Sequence, residues 1–368
     1  MRDQVTAHAP GRVNLIGEHT DYSGGLVLPM AIDLGVTVAG HLGGSEIALR
    51  SQDHTGDVRL PAGGGGDAPP TGWGRYVAAV VAELAEAGRP AVGFTGTISS
   101  DLPEGSGLSS SAALSVAVAF ALCGAAEYDP APMELALLCQ RAEQRAVGVP
   151  VGVMDQAASI LGRDGRAVLL DCGSLEHRLV PLPPTMAVLV VDSGISRQLE
   201  LSGYSQRRGQ LEEGLDALGI DRPSDLSPAD LPDRPPYVPD LLYRRVRHVV
   251  TENDRVRQMV AALTSSGDPD QPVLGGLFAQ SHASLRDDYE VSLSEIDMLV
   301  DIAIDEGAIA ARLTGGGFGG AIVVLVDAAA AVSLGERVAA RYQRETGLAA
   351  TVRFVRPSEG ARVEIGAS

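Results

Sequence analysis

The chain has 368 residues, of which 45% are hydrophobic and 21% are charged, and its formal net charge is −18 at pH 7. This acidic balance excludes nucleic acid as a partner, because a phosphate backbone binds to surfaces rich in Lys and Arg. All 29 basic residues are arginine. The absence of lysine from the sequence excludes the P-loop, the protein kinase site and Schiff-base catalysis, which all depend on a lysine amine.

The cysteines and the hydropathy of the chain indicate its compartment. Cys123, Cys139 and Cys172 are widely spaced and fit neither a zinc-ligand pattern nor a disulfide framework, so we expect reduced thiols in the cytoplasm. No apolar run approaches the length of a membrane span, and we expect no membrane partner. The length of the chain suffices for two domains with substantial cores.

The first motif, residues 9–25, packs polar side chains between glycines. Arg12, Glu18, His19 and Asp21 lie in this stretch, and only a few apolar residues separate them. A solvated polar turn would explain any one of these residues, and the composition does not require a strand or a helix. Together they predict a pocket for a small polar ligand, with acceptors for hydroxyl groups and one fixed cation.

The segment after this motif predicts two strands and a helix. Residues 36–39 and 47–49 are apolar and are predicted to be strands, and residues 73–84 have apolar side chains at helical spacing. Trp73 is the only tryptophan of the chain. It could flank a nucleotide base, although a position in the core is the more common role.

Residues 102–113, Leu-Pro-Glu-Gly-Ser-Gly-Leu-Ser-Ser-Ser-Ala-Ala, lie between a predicted strand at 92–98 and a predicted buried helix at 114–122. This order leaves free N–H groups at a helix N-terminus, which attracts phosphate. The serines could cap the helix or hold a metal ion. Two alternatives to a phosphate site stay open: ordinary helix caps, and a dinucleotide-binding fingerprint in which Glu127 would bind the ribose.

Two carboxylates further along the chain are candidates for chemistry. Glu143 lies near the apolar face of a predicted helix at 133–147, although a helix glutamate is most often solvated. Asp155 follows an apolar segment flanked by glycines, at 148–154. We expect Asp155 to be half-buried, and a carboxylate there requires a hydrogen-bond partner or a function. A strand at 167–171 is predicted to close the first half.

The second half is predicted to contain a buried strand, three helices, a strand–glycine turn–strand unit, a further helix and a last strand. Their predicted ranges are, in order, 186–192, 204–218, 241–263, 273–306, 308–326, a helix that passes through 342, and 351–355. These elements would form an α+β domain. No internal repeat is visible.

Three stretches resemble the GHMP kinases, a family of sugar and small-alcohol kinases, and among these the galactokinases. Residues 11–22, Gly-Arg-Val-Asn-Leu-Ile-Gly-Glu-His-Thr-Asp-Tyr, resemble the galactokinase signature. Residues 103–113 resemble the phosphate loop of the family, and residues 313–320 its third motif. The segments between them that also match are 152–156, 245–253 and 284–292.

The resemblance implies an α+β fold of two domains with the active site in the cleft between them. The N-terminal domain would span residues 1–180 and be of the ribosomal protein S5 type. The C-terminal domain, residues 181–368, would be ferredoxin-like, with its last strand able to pack back on the first domain. The reaction implied is transfer of the γ-phosphoryl group of MgATP to the anomeric hydroxyl of galactose. The partners would be a small-molecule sugar and MgATP, and the protein a monomer.

The resemblance also implies a role for individual residues. The catalytic pair would be Arg12 and Asp155. The sugar would be held by Glu18, His19, Asp21, Gly152 and Tyr204. ATP would be held by Gly105, Ser106, Gly107, Leu108, Ser109, Ser110 and Ser111, with Trp73 at the adenine. Magnesium would be held by Glu143 and by Ser111 or Ser110.

Three positions depart from the family pattern and leave the finer sugar preference open. Arg197 stands where the family usually has a histidine, and Ala146 and Ala157 stand where it often has aromatic residues. Alternatives therefore remain within the class: kinases of N-acetylgalactosamine, arabinose or galacturonate. A non-catalytic sensor of sugar and ATP, and an oxidoreductase using nicotinamide, are the alternatives from other classes.

Overall fold

The structure is a computed structural model and describes residues 4–66, 72–103, 107–195 and 200–366. Within these ranges the strands form a six-stranded sheet, a four-stranded sheet and a small sheet of three strands. Runs of strands and runs of helices follow one another along the chain and the sheets are mostly antiparallel, which confirms the predicted α+β class. None of the helices in these ranges combines the length and the apolar character needed to cross a membrane.

The N-terminal part contains eight of the strands and four of the helices that the structure describes. Its strands are β1 (Gln4–Asn14), β2 (Leu26–Val27), β3 (Pro29–Leu42), β4 (Glu46–Ser51), β5 (Asp57–Pro61), β6 (Phe94–Ser100), β7 (Arg166–Asp171) and β8 (His177–Pro181). Its helices are α1 (Gly74–Glu86), α2 (Ser110–Ala125), α3 (Pro132–Val147) and α4 (Met154–Leu161).

The C-terminal part contains the remaining elements. Its strands are β9 (Met186–Asp192), β10 (Ala310–Thr314), β11 (Ala321–Asp327), β12 (Thr351–Val355) and β13 (Arg362–Gly366). Its helices are α5 (Glu200–Leu218), α6 (Asp240–Thr264), α7 (Gln271–Asp287), α8 (Ser294–Asp305) and α9 (Ala331–Thr346). Single 3₁₀ turns occur at Asp21–Ser23 and Pro223–Asp225.

The six-stranded sheet brings β1 to a central position. Its order is β13-β1-β3-β6-β4-β5, and only the pair of β4 and β6 is parallel. Helix α2, which is apolar around most of its circumference, packs on β1 and β3 and is largely buried. The pairing of β1 with β3 shifts register between Pro10 and Arg12. A bulge of this kind redirects side chains at the end of a strand.

The four-stranded sheet has the order β10-β11-β9-β12 and is antiparallel throughout. Helices α8 and α9 pack on it. The chain then returns to the first sheet, where β13 pairs with β1. The predicted division between domains at residues 180 and 181 falls within β8 and remains a prediction.

The strands predicted at 36–39 and 351–355 are confirmed, the first as part of the 14-residue β3 and the second as β12. Residues 9–14, for which no strand was predicted, are the end of β1, where Arg12 donates to Asp155 and to the carbonyl oxygen of Gly107. The helix predicted at 273–306 was wrong in extent, since it is two helices, α7 and α8, and a further strand, β13, follows the one predicted as the last.

Candidate active site

An arginine and an aspartate from distant parts of the sequence form a paired contact that lines a cavity. Arg12, near the end of β1, donates from Nε to Asp155 Oδ1 at 2.7 Å and from Nη2 to Asp155 Oδ2 at 2.9 Å. Its Nη1 donates to the carbonyl oxygen of Gly107 at 2.7 Å. Burial alone would lower the pKa of Arg12, but Asp155 outweighs this and leaves it raised. The pair therefore carries a fixed cation and an oriented carboxylate.

Helix α2 begins directly beside this pair. Ser109, which precedes the helix, has a left-handed backbone (φ 59°), and its hydroxyl donates to Asp155 Oδ2. A Cβ on Gly11 would lie 2.6 Å from the carbonyl oxygen of Leu108. Glycine is therefore needed at position 11, where the serine loop comes close to β1. The backbone N–H of Arg12 donates to the same Leu108 oxygen at 3.2 Å.

The first turn of α2 also contacts α3. Ser111 Oγ donates to Glu143 Oε1 at 2.6 Å, and Gln156 Nε2 donates to Glu143 Oε2 at 2.5 Å. Burial raises the pKa of Glu143 to about 7, and the charge of Asp155 contributes in the same direction. Glu143 thus lies inward, next to the serine loop, rather than in solvent.

These groups fit a magnesium ion by their donor chemistry. A serine hydroxyl and a carboxylate are hard oxygen ligands of the kind Mg²⁺ prefers, and Mg²⁺ usually keeps waters and phosphate oxygens as its other ligands. The described residues contain no group of three or more His, Cys, Asp or Glu side chains that could hold a metal alone. The protein would thus supply two ligands, from Ser111 and Glu143.

The turn after β1 holds the acid-rich part of the site. Glu18 is 1% exposed and accepts from Thr314 Oγ1 at 2.9 Å and from the Gly315 N–H at 2.8 Å. Its second oxygen accepts from Asn14 Nδ2 and forms an ion pair with Arg312 Nη2 at 3.0 Å. The Glu18 carboxylate is therefore fixed by β10 and the glycine turn that follows it.

His19 lies in a group of aromatic rings. The centroid of its ring is 4.8 Å from that of Tyr289 and 5.8 Å from that of Tyr204, and its Nδ1 lies 3.0 Å from Tyr22 Oη. Burial lowers its pKa to about 3, and the charge of His248 adds to this, so the imidazole is neutral at pH 7. A neutral imidazole beside tyrosine rings suits an uncharged polar ligand.

The side chain of Asp21 packs against Gly152. Burial and the nearby charge of Asp155 raise the pKa of Asp21 to about 7. A Cβ on Gly152 would overlap the Asp21 carboxylate and lie 2.9 Å from Asp21 Cβ. Only glycine at position 152 leaves room for Asp21 in this position.

One cavity of about 520 Å³ joins these groups. Twelve of the predicted site residues line it: Arg12, Glu18, His19, Asp21, Gly107, Ser109, Ser110, Ser111, Glu143, Gly152, Asp155 and Tyr204. Trp73 lies instead in an adjoining cavity of about 250 Å³, which shares Tyr76, Ser110 and Ser111 with the first. Leu108 is buried and lines neither cavity. Gly105, Ser106 and Arg197 lie outside the described residues.

Sequence reasoning missed other residues of the site. Arg75 and Tyr76, on α1, line the larger cavity, and Gln156 contacts Glu143. Arg312 is fully buried and donates to the carbonyl oxygens of Leu15 and Asn14 at 2.6 and 3.1 Å. A single arginine in the apolar strand β10 was the signal for it, because an isolated buried cation requires partners.

Family models match the chain in three parts. A model of the galactokinase galactose-binding signature matches residues 2–42. Models of the GHMP kinase N-terminal domain and C-terminal domain match residues 75–163 and 251–344. The two domain models confirm the fold that the resemblance implied.

Relatives match along nearly the whole chain. A galactokinase of Roseiflexus sp. (strain RS-1) is 42% identical over 366 residues, which cover 98% of this chain and 93% of the relative. A galactokinase of Bos taurus is 40% identical and covers 98% of this chain and 92% of its own. The crystal structure of Lactococcus lactis galactokinase complexed with galactose has a TM-score of 0.91 at 30% identity, covering 98% of this chain and 95% of that one. With its signature, its two domains and relatives of this similarity, the chain belongs to the galactokinase family of GHMP kinases.

Proposed function

We propose that this protein transfers the γ-phosphoryl group of ATP to the anomeric hydroxyl of galactose, giving galactose 1-phosphate and ADP. Kinases of this family use ATP, and the relatives from Roseiflexus and Bos taurus are galactokinases. The observation that carries the proposal is the paired contact of Arg12 with Asp155 at the junction of the acid-rich turn and the N-terminus of α2. A sugar on one side and a triphosphate on the other would meet at this pair.

The proposed chemistry follows from the geometry of the pair. The anomeric oxygen forms a bond to the γ-phosphorus, the bond from that phosphorus to the bridging oxygen of ADP breaks, and the hydroxyl proton passes to Asp155. Phosphoryl transfer has a loose transition state, so orientation and neutralisation of charge matter more than the strength of the base. Arg12 holds both oxygens of Asp155 and would neutralise charge on the moving group.

The sugar site would be formed by Glu18, His19, Asp21, Gly152 and Tyr204. Carboxylates that the protein already holds in place accept hydrogen bonds from hydroxyl groups without further ordering, which favours a polyhydroxylated ligand. In this proposal Glu18 fixes one end of the sugar and Asp21 the other.

The nucleotide site would be formed by residues 105–111, with Trp73 beside the base in the smaller cavity. Backbone N–H groups at the start of α2 would contact the phosphates. Ser111 and Glu143 would hold Mg²⁺, which would neutralise charge on the phosphates when bound. We also expect a monomer located in the cytoplasm, to be checked by light scattering after size exclusion and by cell fractionation.

The first experiment measures ADP release with MgATP across a panel of sugars. Galactose should give the highest kcat/KM, and N-acetylgalactosamine, arabinose and galacturonate should follow far behind. Phosphorus NMR of the product should show a sugar 1-phosphate. A higher kcat/KM for another sugar of the panel would reassign the substrate, and binding of sugar and ATP without ADP release would indicate a sensor.

The second experiment tests the two catalytic residues. Asp155→Asn and Arg12→Ala should lose most of kcat while galactose still binds, as measured by calorimetry. A kcat within about threefold of the parent corresponds to only ~0.65 kcal/mol of the barrier. Such a result for either variant would remove that residue from the mechanism.

A further inference from the structure

Arg75 lines the larger cavity with a guanidinium that has no partner among the described residues. It is the second residue of α1, is half-buried, and lies next to Tyr76 in the chain. Its Nε atom is buried without a hydrogen-bond partner, and no described residue forms an ion pair with its guanidinium. Burying part of a guanidinium in this state costs free energy, which a ligand would offset.

The other charged side chains that line the cavity either already have hydrogen-bond partners or carry negative charge. Three nitrogens of Arg12 already donate hydrogen bonds, two of them to Asp155 and one to the carbonyl oxygen of Gly107. The remaining charged side chains that line the cavity are carboxylates: Glu18, Asp21, Glu143 and Asp155. Among the described lining residues, Arg75 is thus the cation whose donors are all available. An anionic ligand in this acidic cavity requires such a group, and a chain without lysine can supply it only as arginine.

The position of Arg75 relative to the two cavities indicates which part of a ligand it would contact. Tyr76, Ser110 and Ser111 line both cavities and mark their junction. Arg75 lines the larger cavity and precedes Tyr76 in the chain, and Trp73, two residues earlier, lines the smaller cavity. A nucleotide with its base beside Trp73 and its terminal phosphate toward Arg12 would cross the junction with its inner phosphates.

We propose that Arg75 binds a phosphate oxygen of the nucleotide, at the α- or β-position, and is a determinant of nucleotide affinity in this chain. The proposal rests on the proposed function for the direction in which the nucleotide lies. A guanidinium presents two parallel N–H donors, which match two phosphate oxygens in geometry and charge. Arg75 thus supplies the fixed positive charge that lysine supplies in P-loop proteins.

The test compares ligands that differ only in their phosphates. Binding of MgADP, AMP and adenosine to Arg75→Gln is measured by calorimetry, together with KM for MgATP and for galactose. MgADP binding should weaken about 10-fold to 100-fold, the range for a hydrogen bond to a charged group. Adenosine binding, KM for galactose and the melting temperature should stay unchanged. Arg75→Lys should restore part of the loss, because it keeps the charge and loses the paired donors.

A surface arginine provides the matched control. Arg178→Gln, on the exposed face of β8, makes the same change in net charge and should leave MgADP binding unchanged. Equal weakening in both variants would attribute the effect to overall charge and overturn the proposal. Equal loss of adenosine and MgADP affinity in Arg75→Gln would assign Arg75 to the base, and unchanged MgADP binding would exclude the phosphate contact.

These measurements separate this proposal from the proposed function. Binding of MgADP does not require turnover of a sugar. If the parent binds MgADP more tightly than adenosine and phosphorylates no sugar of the panel, the assigned reaction fails while the role of Arg75 is still decided by its variants. If the parent binds adenosine as tightly as MgADP, the phosphate contact is refuted whatever sugar is turned over.

Discussion

Replacing Gly152 with alanine tests how the sugar pocket is formed. The new Cβ would overlap the carboxylate of Asp21 and lie 2.9 Å from Asp21 Cβ, whereas carbon atoms pack at about 3.5–4.0 Å. Gly152 itself is buried between Val151 and Val153, so the displaced group must be Asp21. We therefore expect Gly152→Ala to remove the hydrogen bond that Asp21 offers to a sugar hydroxyl.

The magnitude applies to the ionised form of Asp21, so the kinetics are measured above the pKa of about 7 that this carboxyl group has in the folded apo protein. A hydrogen bond to a charged group contributes about 1.5–3 kcal/mol, which corresponds to an increase in KM for galactose of roughly 10-fold to 100-fold. KM for MgATP should stay within about twofold, because Asp21 lies on the sugar side of Asp155 in the proposed arrangement. Steady-state kinetics with each substrate varied in turn measures both values.

A double-mutant cycle shows whether the effect passes through Asp21. In an Asp21→Ala background, Gly152→Ala should raise KM for galactose little further, because the carboxylate that it displaces is already absent. Gly209→Ala on α5 is the matched control, since a Cβ there meets nothing within 4 Å. It should leave KM unchanged and stabilise the helix by about 0.5–1 kcal/mol. Additive effects of the two substitutions, or an unchanged KM in Gly152→Ala, would refute the reasoning.

Three further predictions concern charge. Because burial raises the pKa of Asp21 to about 7, this carboxyl group holds a proton in the folded apo protein that it has lost in the unfolded chain between about pH 4 and pH 7. The free energy of unfolding of the parent minus that of Asp21→Asn should therefore fall as pH rises through this range, as measured by chemical denaturation; a difference that does not change with pH contradicts the shift. Glu143→Gln should raise the Mg²⁺ concentration for half-maximal rate by about 10-fold or more, and a magnesium titration with an unaltered midpoint would exclude Glu143 as a ligand. Arg312→Met leaves Glu18 buried without its cation, so the free energy of unfolding, measured by denaturation, should fall by about 3–5 kcal/mol. Steady-state kinetics should show a raised KM for galactose. An unchanged free energy of unfolding would mean that Arg312 is dispensable.

The sequence indicated that Arg12 and Asp155 belong together, but it gave no prediction of the strand that carries Arg12. Arg12 and Asp155 are 143 positions apart in the chain, and their contact followed from a motif resemblance and not from periodicity. For the stretch around Arg12 the composition required neither a strand nor a helix. Polar residues between glycines indicate a turn when the partners of their side chains are unknown, whereas in the fold Asp155 and Gly107 accept from Arg12 and permit a buried strand.

Contacts between distant segments explain what the sequence could not predict. Arg75 stands in an amphipathic helix, where an arginine is ordinarily solvated, and only the cavity shows that its guanidinium has no partner among the described residues. Arg312 and Glu18 form a buried ion pair although they lie in opposite halves of the chain. β13 is short and its outward side chains are exposed, so its amino acids alone give a weak strand signal, and β1 supplies the partner.

The pairing of β13 with β1 also has a consequence for synthesis on the ribosome. β1 carries Arg12 and is translated long before residues 362–366, which pair with residues 4–8 at one edge of it. Loop closure over the whole chain makes this contact slow to form, and an uncovered edge strand invites pairing with another chain. The nascent protein thus leaves one edge of β1 unpaired until residues 362–366 have been made, and a deletion of these residues would leave that edge open in the finished chain.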